Sequence, residues 1–99
     1  MEVHGYKKDE IYILELDGII KSFDEISEFK SALSSGLEDA QSVEIHIKNS
    51  DTISSALIGL MIKSIFTSKK PISVVVYSKK LLETMNRLNL MDTLKIRRG

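Results

Sequence analysis

The segment Ser42–Thr67, with the sequence SVEIHIKNSDTISSALIGLMIKSIFT, contains the transition that decides the fold. Apolar and polar residues alternate over Ser42–Lys48, and a period of two predicts a strand with one buried face. The polar stretch Asn49–Asp51 is typical of a turn. From about Ser54 to Thr67, apolar residues recur at helical spacing, which predicts a helix. A strand that leads through a short turn into a helix is the repeating unit of α/β folds.

Two strands are predicted near the start of the chain. The stretch Glu10–Asp17 (EIYILELD) is rich in residues that favour β-structure. Lys8 and Asp9 are expected to close a hairpin with a weaker first strand, Glu2–Lys7.

The first helix is predicted from a capping signal that precedes helical apolar spacing. Ser22 and Glu25 fit the Ser-x-x-Glu capping box, in which each side chain accepts from a backbone N–H at the other end of the turn. Gly36 is expected to end this helix in the left-handed conformation.

The remaining elements alternate in the same way. Ile72–Tyr77 is nearly all apolar, which predicts a central strand covered on both faces. Ser78 is expected to cap a third helix that ends at Asn89, and Leu94–Arg97 is expected to form a final edge strand. The inward positions of that helix are predicted to be Leu81, Leu82, Met85 and Leu88. The order ββαβαβαβ therefore predicts one α/β domain over residues 1–99, with a mixed central sheet of about four to five strands and three main helices.

Composition limits the function. The chain has 99 residues and a formal net charge of zero, which argues against a nucleic-acid-binding protein that acts through bulk charge. It has no cysteine, and its histidines, His4 and His46, are far apart, so we expect no metal site and no cofactor. No apolar run approaches the roughly 20 residues of a membrane span. The N-terminal residues lack a signal-peptide core, and the cytoplasm is the expected location.

The serine pair at the start of the second helix has two interpretations. A serine there commonly caps the helix by accepting a backbone N–H. Ser55 can instead be a phosphoacceptor, because a phosphate at a helix N-terminus meets exposed amides and a positive dipole end. A catalytic Ser55, His46 and Asp51 assembly has no supporting spacing, and the phosphate-cradling and nucleophile-elbow motifs of enzymes are absent, so we expect no enzyme.

The second helix is apolar around much of its circumference, so it is expected either to be buried on two sides or to share one side with a partner. Ile58 and Ile62 are the candidate docking positions on a side shared with a partner.

Lys63, Lys69 and Lys70 lie late in or just after the second helix, where cations complement its dipole, whereas Lys79 and Lys80 lie in the first turn of the third helix, where that argument fails. These lysines are interpreted either as a solvated face or as a basic rim that meets an acidic partner or a nucleotide phosphate held by it.

The pattern resembles a STAS domain, and within that superfamily the stand-alone anti-sigma factor antagonists. The resemblance rests on the element order, on the serine pair that opens the second helix, and on the closing Leu88–Leu90 with Leu94 and Ile96. Family members carry Asp-Ser-Ser-Gly-Leu-Gly at this helix start, and the matching residues here are Ile53–Ile58 (ISSALI). Both serines and the leucine match, whereas Ile53 replaces the aspartate of the motif, Ala56 its first glycine and Ile58 its second. Asp51 lies two residues before Ile53 as a possible partial substitute.

The resemblance implies a non-enzymatic partner switch in the cytoplasm. The unmodified protein would bind an anti-sigma factor that is also a GHKL-type serine kinase, and a PP2C-type phosphatase would reverse the phosphorylation. The implied phosphorylation site is Ser55, with Ser54 and Thr52 as alternatives. The residues expected to contact the partner are Asp51, Thr52, Ser54, Ser55, Ala56, Ile58 and Ile62. The altered motif also fits a STAS accessory subunit that binds the ATPase of a phospholipid-trafficking ABC transporter without being phosphorylated.

Overall fold

The computed structural model describes residues 1–19 and 22–99, which form five strands and three helices in the predicted order. The strands are β1 (Glu2–Lys8), β2 (Ile11–Asp17), β3 (Ser42–Lys48), β4 (Ile72–Val76) and β5 (Ile96–Arg98). The helices are α1 (Phe23–Asp39), α2 (Ser55–Thr67) and α3 (Lys79–Arg87).

The five strands form one mixed sheet in the order β1-β2-β3-β4-β5. β1 pairs antiparallel with β2, and the other pairings are parallel. A helix connects the strands of each parallel pair: α1 connects β2 to β3, α2 connects β3 to β4, and α3 connects β4 to β5. The carboxyl ends of β2, β3 and β4 therefore lie side by side, and the loops that follow them meet at one edge of the sheet. The predicted α/β class and element order are confirmed.

One face of the sheet and the three helices share a single hydrophobic core. The alternating residues Val43, Ile45 and Ile47 of β3 are all buried, as the sequence pattern predicted. Each helix adds two or more fully buried residues to the same cluster. The helix residues at the centre of the cluster are Phe29, Leu33, Leu57, Met61, Leu81 and Met85.

The opposite face of the sheet carries a polar network. Glu44 accepts from Arg97 Nη2 at 3.0 Å and lies 3.0 Å from His46 Nε2, while Lys48 pairs with Glu15 at 3.0 Å. Burial acts to raise the pKa of Glu44, but the contacts with His46 and Arg97 outweigh it and leave that pKa below its usual value. The hydrogen bond from Lys48 lowers the pKa of Glu15. The predicted cover on both faces of β4 thus comes from helices on one face only. On the other face, Val75 is also buried, and its neighbours in the sheet register are His46 of β3 and Arg97 of β5.

The first helix differs from the prediction at both ends. Ser22 is its N-cap residue but makes no side-chain capping hydrogen bond, and Glu25 instead accepts from the Met1 ammonium group at 2.9 Å. The Ser22 side chain therefore does not make the hydrogen bond that the capping box predicts. Gly36 does not end the helix, which continues to Asp39.

Smaller differences concern the connections. The hairpin turn consists of Asp9 and Glu10, one residue later than predicted, with Asp9 in the left-handed region at φ 55°. Leu88 was expected to face inward, but it lies after the last residue of α3 and is 54% exposed. Asn89 has the predicted left-handed conformation, with φ 59°.

Candidate functional site

The candidate site lies at the carboxyl edge of the sheet, where the loop between β3 and α2 meets the loop between β4 and α3. An open cavity of about 520 Å³ at this edge is bordered by both loops. Its lining residues are Ile19, Asn49, Ser50, Asp51, Thr52, Tyr77 and Ser78. The loop that carries the predicted site residues therefore borders an accessible depression.

The two serines at the start of α2 have different environments. Ser54 is the N-cap residue, and its Oγ accepts from the Leu57 backbone N–H at 3.1 Å. Ser55 is the first helical residue and is exposed, and within the described parts of the chain its hydroxyl makes no hydrogen bond. The capping and phosphoacceptor interpretations therefore apply to different residues, since Ser54 occupies the capping position and leaves the Ser55 hydroxyl available.

The loop before α2 is held by short-range hydrogen bonds. Ser50 is buried, and its hydroxyl donates to the Thr52 carbonyl. Asp51 and Thr52 are exposed on the outside of this turn. The turn thus presents the side chains of Asp51 and Thr52 to solvent from a fixed backbone.

Asp51 connects the starts of α2 and α3. Its carboxylate accepts from Ser78 Oγ at 2.5 Å, and Ser78 Oγ in turn accepts from the Leu81 backbone N–H at 3.1 Å. Ser78 is therefore the cap of α3, as predicted, and also a donor to the loop before α2. The bond from Ser78 to Asp51 therefore joins the two loops that border the cavity.

The residue directly before the serine pair is apolar. Ile53 is half-buried and packs against the hydrophobic core. The first turn of α2 contains no acidic residue. The positive end of the α2 dipole is therefore not compensated by a carboxylate within that turn, which favours an anion there.

The outward side of α2 extends the candidate surface beyond the loop. Ser55, Gly59, Ile62 and Phe66 recur every three to four residues and so lie along one side of the helix. Ser55 and Gly59 are exposed and Phe66 is 76% exposed, while Ile62 is half-buried and packs in part against the core. Ile58, next to this stripe, is half-buried, and Ala56 is exposed.

Two exposed apolar residues at this site were not among the predicted contacts. Ile19 is 57% exposed and lines the cavity beside Thr52, and Phe66 continues the stripe on α2. The helical spacing signalled Phe66, whereas no pattern around Ile19 pointed to it.

The Ser55, His46 and Asp51 assembly does not form. His46 lies on the polar sheet face, where its Nδ1 is 2.7 Å from Tyr77 Oη and its Nε2 is 3.0 Å from Glu44. Asp51 is bonded to Ser78 instead. Among residues 1–19 and 22–99, no group of three or more histidine, aspartate or glutamate side chains is arranged to hold a metal ion.

Comparison with solved structures identifies proteins with the same fold. One is the crystal structure of an anti-sigma factor antagonist from Mycobacterium paratuberculosis, with a TM-score of 0.79 over 96% of this chain and 83% of that chain, at 11% sequence identity. Another is the NMR structure of the protein TM1081, with a TM-score of 0.75 over 96% of this chain and 79% of that chain, at 18% identity. No family model and no curated protein sequence matches the chain.

The structural similarity confirms the predicted STAS-like fold, the fold of an anti-sigma factor antagonist, over nearly the whole chain. Within residues 1–19 and 22–99, every helix is too short or too polar to span a bilayer.

Proposed function

We propose that this chain is an anti-sigma factor antagonist, a non-enzymatic regulator that switches partners through reversible phosphorylation of Ser55. The observation that carries the proposal is the division of roles between the two serines. Ser54 accepts the capping hydrogen bond, and Ser55 projects an exposed hydroxyl one residue later. The shared fold with an anti-sigma factor antagonist supports the same class of function.

A phosphate on Ser55 is compatible with the fold. It adds a charge of about −1.5 to −2 next to the free amides of the first turn, and no carboxylate of that turn opposes it. Because Ser55 lies on the same side of α2 as Gly59 and Ile62, the added charge changes a weakly polar surface into an anionic one. A partner that buries this surface has to desolvate that charge, and the complex is weakened.

We interpret residues 1–99 as one domain. The proposed partner surface of that domain combines the loop between β3 and α2 with the outward side of α2. Its members are the predicted contacts Asp51, Thr52, Ser54, Ser55, Ala56, Ile58 and Ile62. The partner is an anti-sigma factor with GHKL-type kinase activity, a PP2C-type phosphatase removes the phosphate, and the exchange takes place in the cytoplasm. Among the alternative phosphoacceptors, Thr52 is exposed, whereas modification of Ser54 would remove the cap.

Phosphate mapping tests the site directly. The protein is incubated with ATP and the serine kinase from a neighbouring gene, and the modified residue is identified by mass spectrometry. Phosphate on Ser55 is the expected result. Modification of Thr52 alone would move the switch to the loop, and the absence of phosphate on Ser54, Ser55 and Thr52 would overturn the phosphoswitch.

Binding measurements with matched variants test the consequence of the charge. Ser55→Asp is expected to weaken binding to the anti-sigma factor at least tenfold, about 1.4 kcal/mol, whereas Ser55→Asn keeps the size without the charge and retains binding. Ser35→Asp places the same charge on an exposed site of α1 and serves as the control. Equal affinity of Ser55→Asp and Ser35→Asp would contradict the proposal.

A second function is favoured by one observation, the apolar residue at the position of the motif's aspartate. Ile53 packs against the core, so this chain lacks the carboxylate that family members place directly before the serine pair. In this alternative, the chain binds the ATPase of a phospholipid-trafficking ABC transporter and Ser55 is not modified. The expected result is that the chain co-purifies with that ATPase, and that the presence or absence of a serine kinase does not change the amount recovered.

A further inference from the structure

A second groove lies between the C-terminal halves of α1 and α2, away from the Ser55 loop. Its volume is about 440 Å³, and none of the residues that line it belongs to the segment 49–59. Volumes of about 300–1,000 Å³ are typical of small-molecule sites. The groove is therefore a separate feature whose size fits a small ligand.

The floor of the groove is apolar. Leu33 of α1 is buried in the core, and Leu37 and Leu60 pack against that core while remaining half-buried. All three line the groove. The accessible surface of Leu37 and Leu60 offers contact to an apolar ligand segment, because removing such surface from water is favourable.

The rim of the groove has a single sign of charge. Lys30, Lys63, Lys69 and Lys70 line it, and no aspartate or glutamate does. Within residues 1–19 and 22–99, none of these four lysines forms an ion pair. A concave site lined by uncompensated ammonium groups attracts anions, although the whole chain has no net charge.

The helix dipole explains this arrangement only in part. A cation stabilises a helix mainly when it lies in the last turn, and the last turn of α2 contains no basic residue. Lys30 lies near the middle of α1. Of these four lysines, Lys70 alone has a hydrogen-bond partner for its ammonium group among residues 1–19 and 22–99. It donates to the Leu37 carbonyl in the last turn of α1, and this bond holds it at the groove.

Hydroxyl groups complete the lining. Ser64 Oγ and Thr67 Oγ1 donate to the carbonyls of Leu60 and Lys63, each at 2.8 Å, so their donor capacity is used within α2. Ser34 also lines the groove and makes no hydrogen bond among the described residues, so its hydroxyl can donate to an anion.

We propose that this groove binds a small anionic amphiphile, with its carboxylate or phosphate head among the lysines and its alkyl tail on the leucine floor. The lysines of the rim attract the anionic head, and the accessible surface of the half-buried leucines favours contact with the alkyl tail. An acidic helix from a partner protein fits less well. Such helices use apolar anchors at positions i, i+3, i+4 and i+7, and this floor has only two accessible leucines.

Ligand selectivity on the unmodified protein tests the proposal. Decanoate and decyl phosphate are titrated below their micelle-forming concentrations and followed by backbone amide NMR. We expect saturable shifts at Leu37, Leu60 and Lys63, and binding that weakens as salt is added. Decanol and inorganic phosphate are expected to bind at least tenfold more weakly. The two anionic probes distinguish a fatty-acid carboxylate from a phosphate head as the preferred source.

A matched pair of variants tests the rim. Lys63→Glu with Lys69→Glu is expected to lower the affinity for the preferred probe at least tenfold. Lys79→Glu with Lys80→Glu makes the same change of net charge on exposed sites of α3 and is expected to leave the affinity unchanged. If the first double variant does not fold, the selectivity experiment still decides. The proposal would be overturned if decanol or inorganic phosphate bound as tightly as the preferred probe, or if no amide shifts appeared in the groove. It would also be overturned if the two double variants lowered the affinity equally.

Discussion

Replacing Gly36 by alanine tests how α1 packs on the sheet. Gly36 lies inside α1 and is buried against the Tyr12 ring of β2. A Cβ atom built at position 36 lies 2.3 Å from Tyr12 Cδ2 and 2.7 Å from Cγ. The hydroxyl end of the same ring crosses Gly5 of β1, where a Cβ would lie 1.7 Å from Tyr12 Oη. The tyrosine therefore fits between two glycines, and a methyl group at position 36 forces the ring or the helix to move.

The expected magnitude follows from two opposing effects. Alanine in a helix interior is favoured over glycine by about 0.8–1.0 kcal/mol. Inserting a methyl group into a filled contact costs about 1–3 kcal/mol. The sum predicts that Gly36→Ala destabilises the protein by about 1 kcal/mol. Gly59 of α2 is the matched control, because a Cβ there meets no atom within 4 Å, and Gly59→Ala is expected to stabilise by about 1 kcal/mol.

Urea and thermal unfolding followed by circular dichroism measure both variants. A difference of about 2 kcal/mol corresponds to melting temperatures about 8–16 °C apart for a domain of this size. In a Tyr12→Leu background the contact is relieved, and Gly36→Ala is expected to become stabilising. If Gly36→Ala raises the melting temperature of the original protein as much as Gly59→Ala does, the reasoning about Tyr12 is wrong.

Three further predictions concern the site and the polar sheet face. Ser54→Ala is expected to lower the free energy of unfolding by about 1 kcal/mol through loss of the cap, and Ser55→Ala to change it by less than about 0.5 kcal/mol, as measured by urea denaturation. Ser78→Ala is expected to cost more than Ser54→Ala, because it removes both the cap of α3 and the bond to Asp51; equal costs would show that this bond contributes nothing. Lys48→Met is expected to raise the pKa of Glu15 in an NMR titration, since the hydrogen bond from Lys48 lowers it. Because a lowered folded-state pKa stabilises the protein above the unfolded pKa, this contribution is lost as pH falls through the folded-state pKa of Glu15. An unchanged Glu15 pKa would contradict that assignment.

The sequence predicted the elements whose signals are local. The bounds of β3 follow from strict alternation, and the start of α2 and the cap of α3 follow from serines placed before helical spacing. Asn89 also has the predicted conformation because its left-handed backbone is a local preference. These features depend on residues within one turn or one strand, and neighbouring residues alone are enough to specify them.

The errors arise where a distant residue changes a local preference. Gly36 has the chemistry of a helix end, but its lack of a side chain serves the contact with Tyr12, 24 positions away in the sequence. Ser22 and Glu25 have the spacing of a capping box, but the Ser22 side chain makes no capping hydrogen bond, and the Glu25 carboxylate accepts from the distant Met1 ammonium group. Ile19 joins the candidate site only because the carboxyl ends of parallel strands meet at one edge. None of these contacts leaves a periodic trace in the sequence.

The altered serine motif has opposite consequences for the fold and for recognition. With Ile53 packed on the core, the carboxylate of the family motif is absent from the start of α2, and no first-turn acid repels a phosphate on Ser55. The nearest preceding carboxylate, Asp51, accepts from Ser78 and so lies toward α3. A kinase that reads an aspartate beside the serines finds an apolar, half-buried side chain in its place. Under the proposed function, the helix N-terminus would favour a phosphate on Ser55, and the kinase would have to select Ser55 through the exposed residues around it, Thr52 and Ala56 among them.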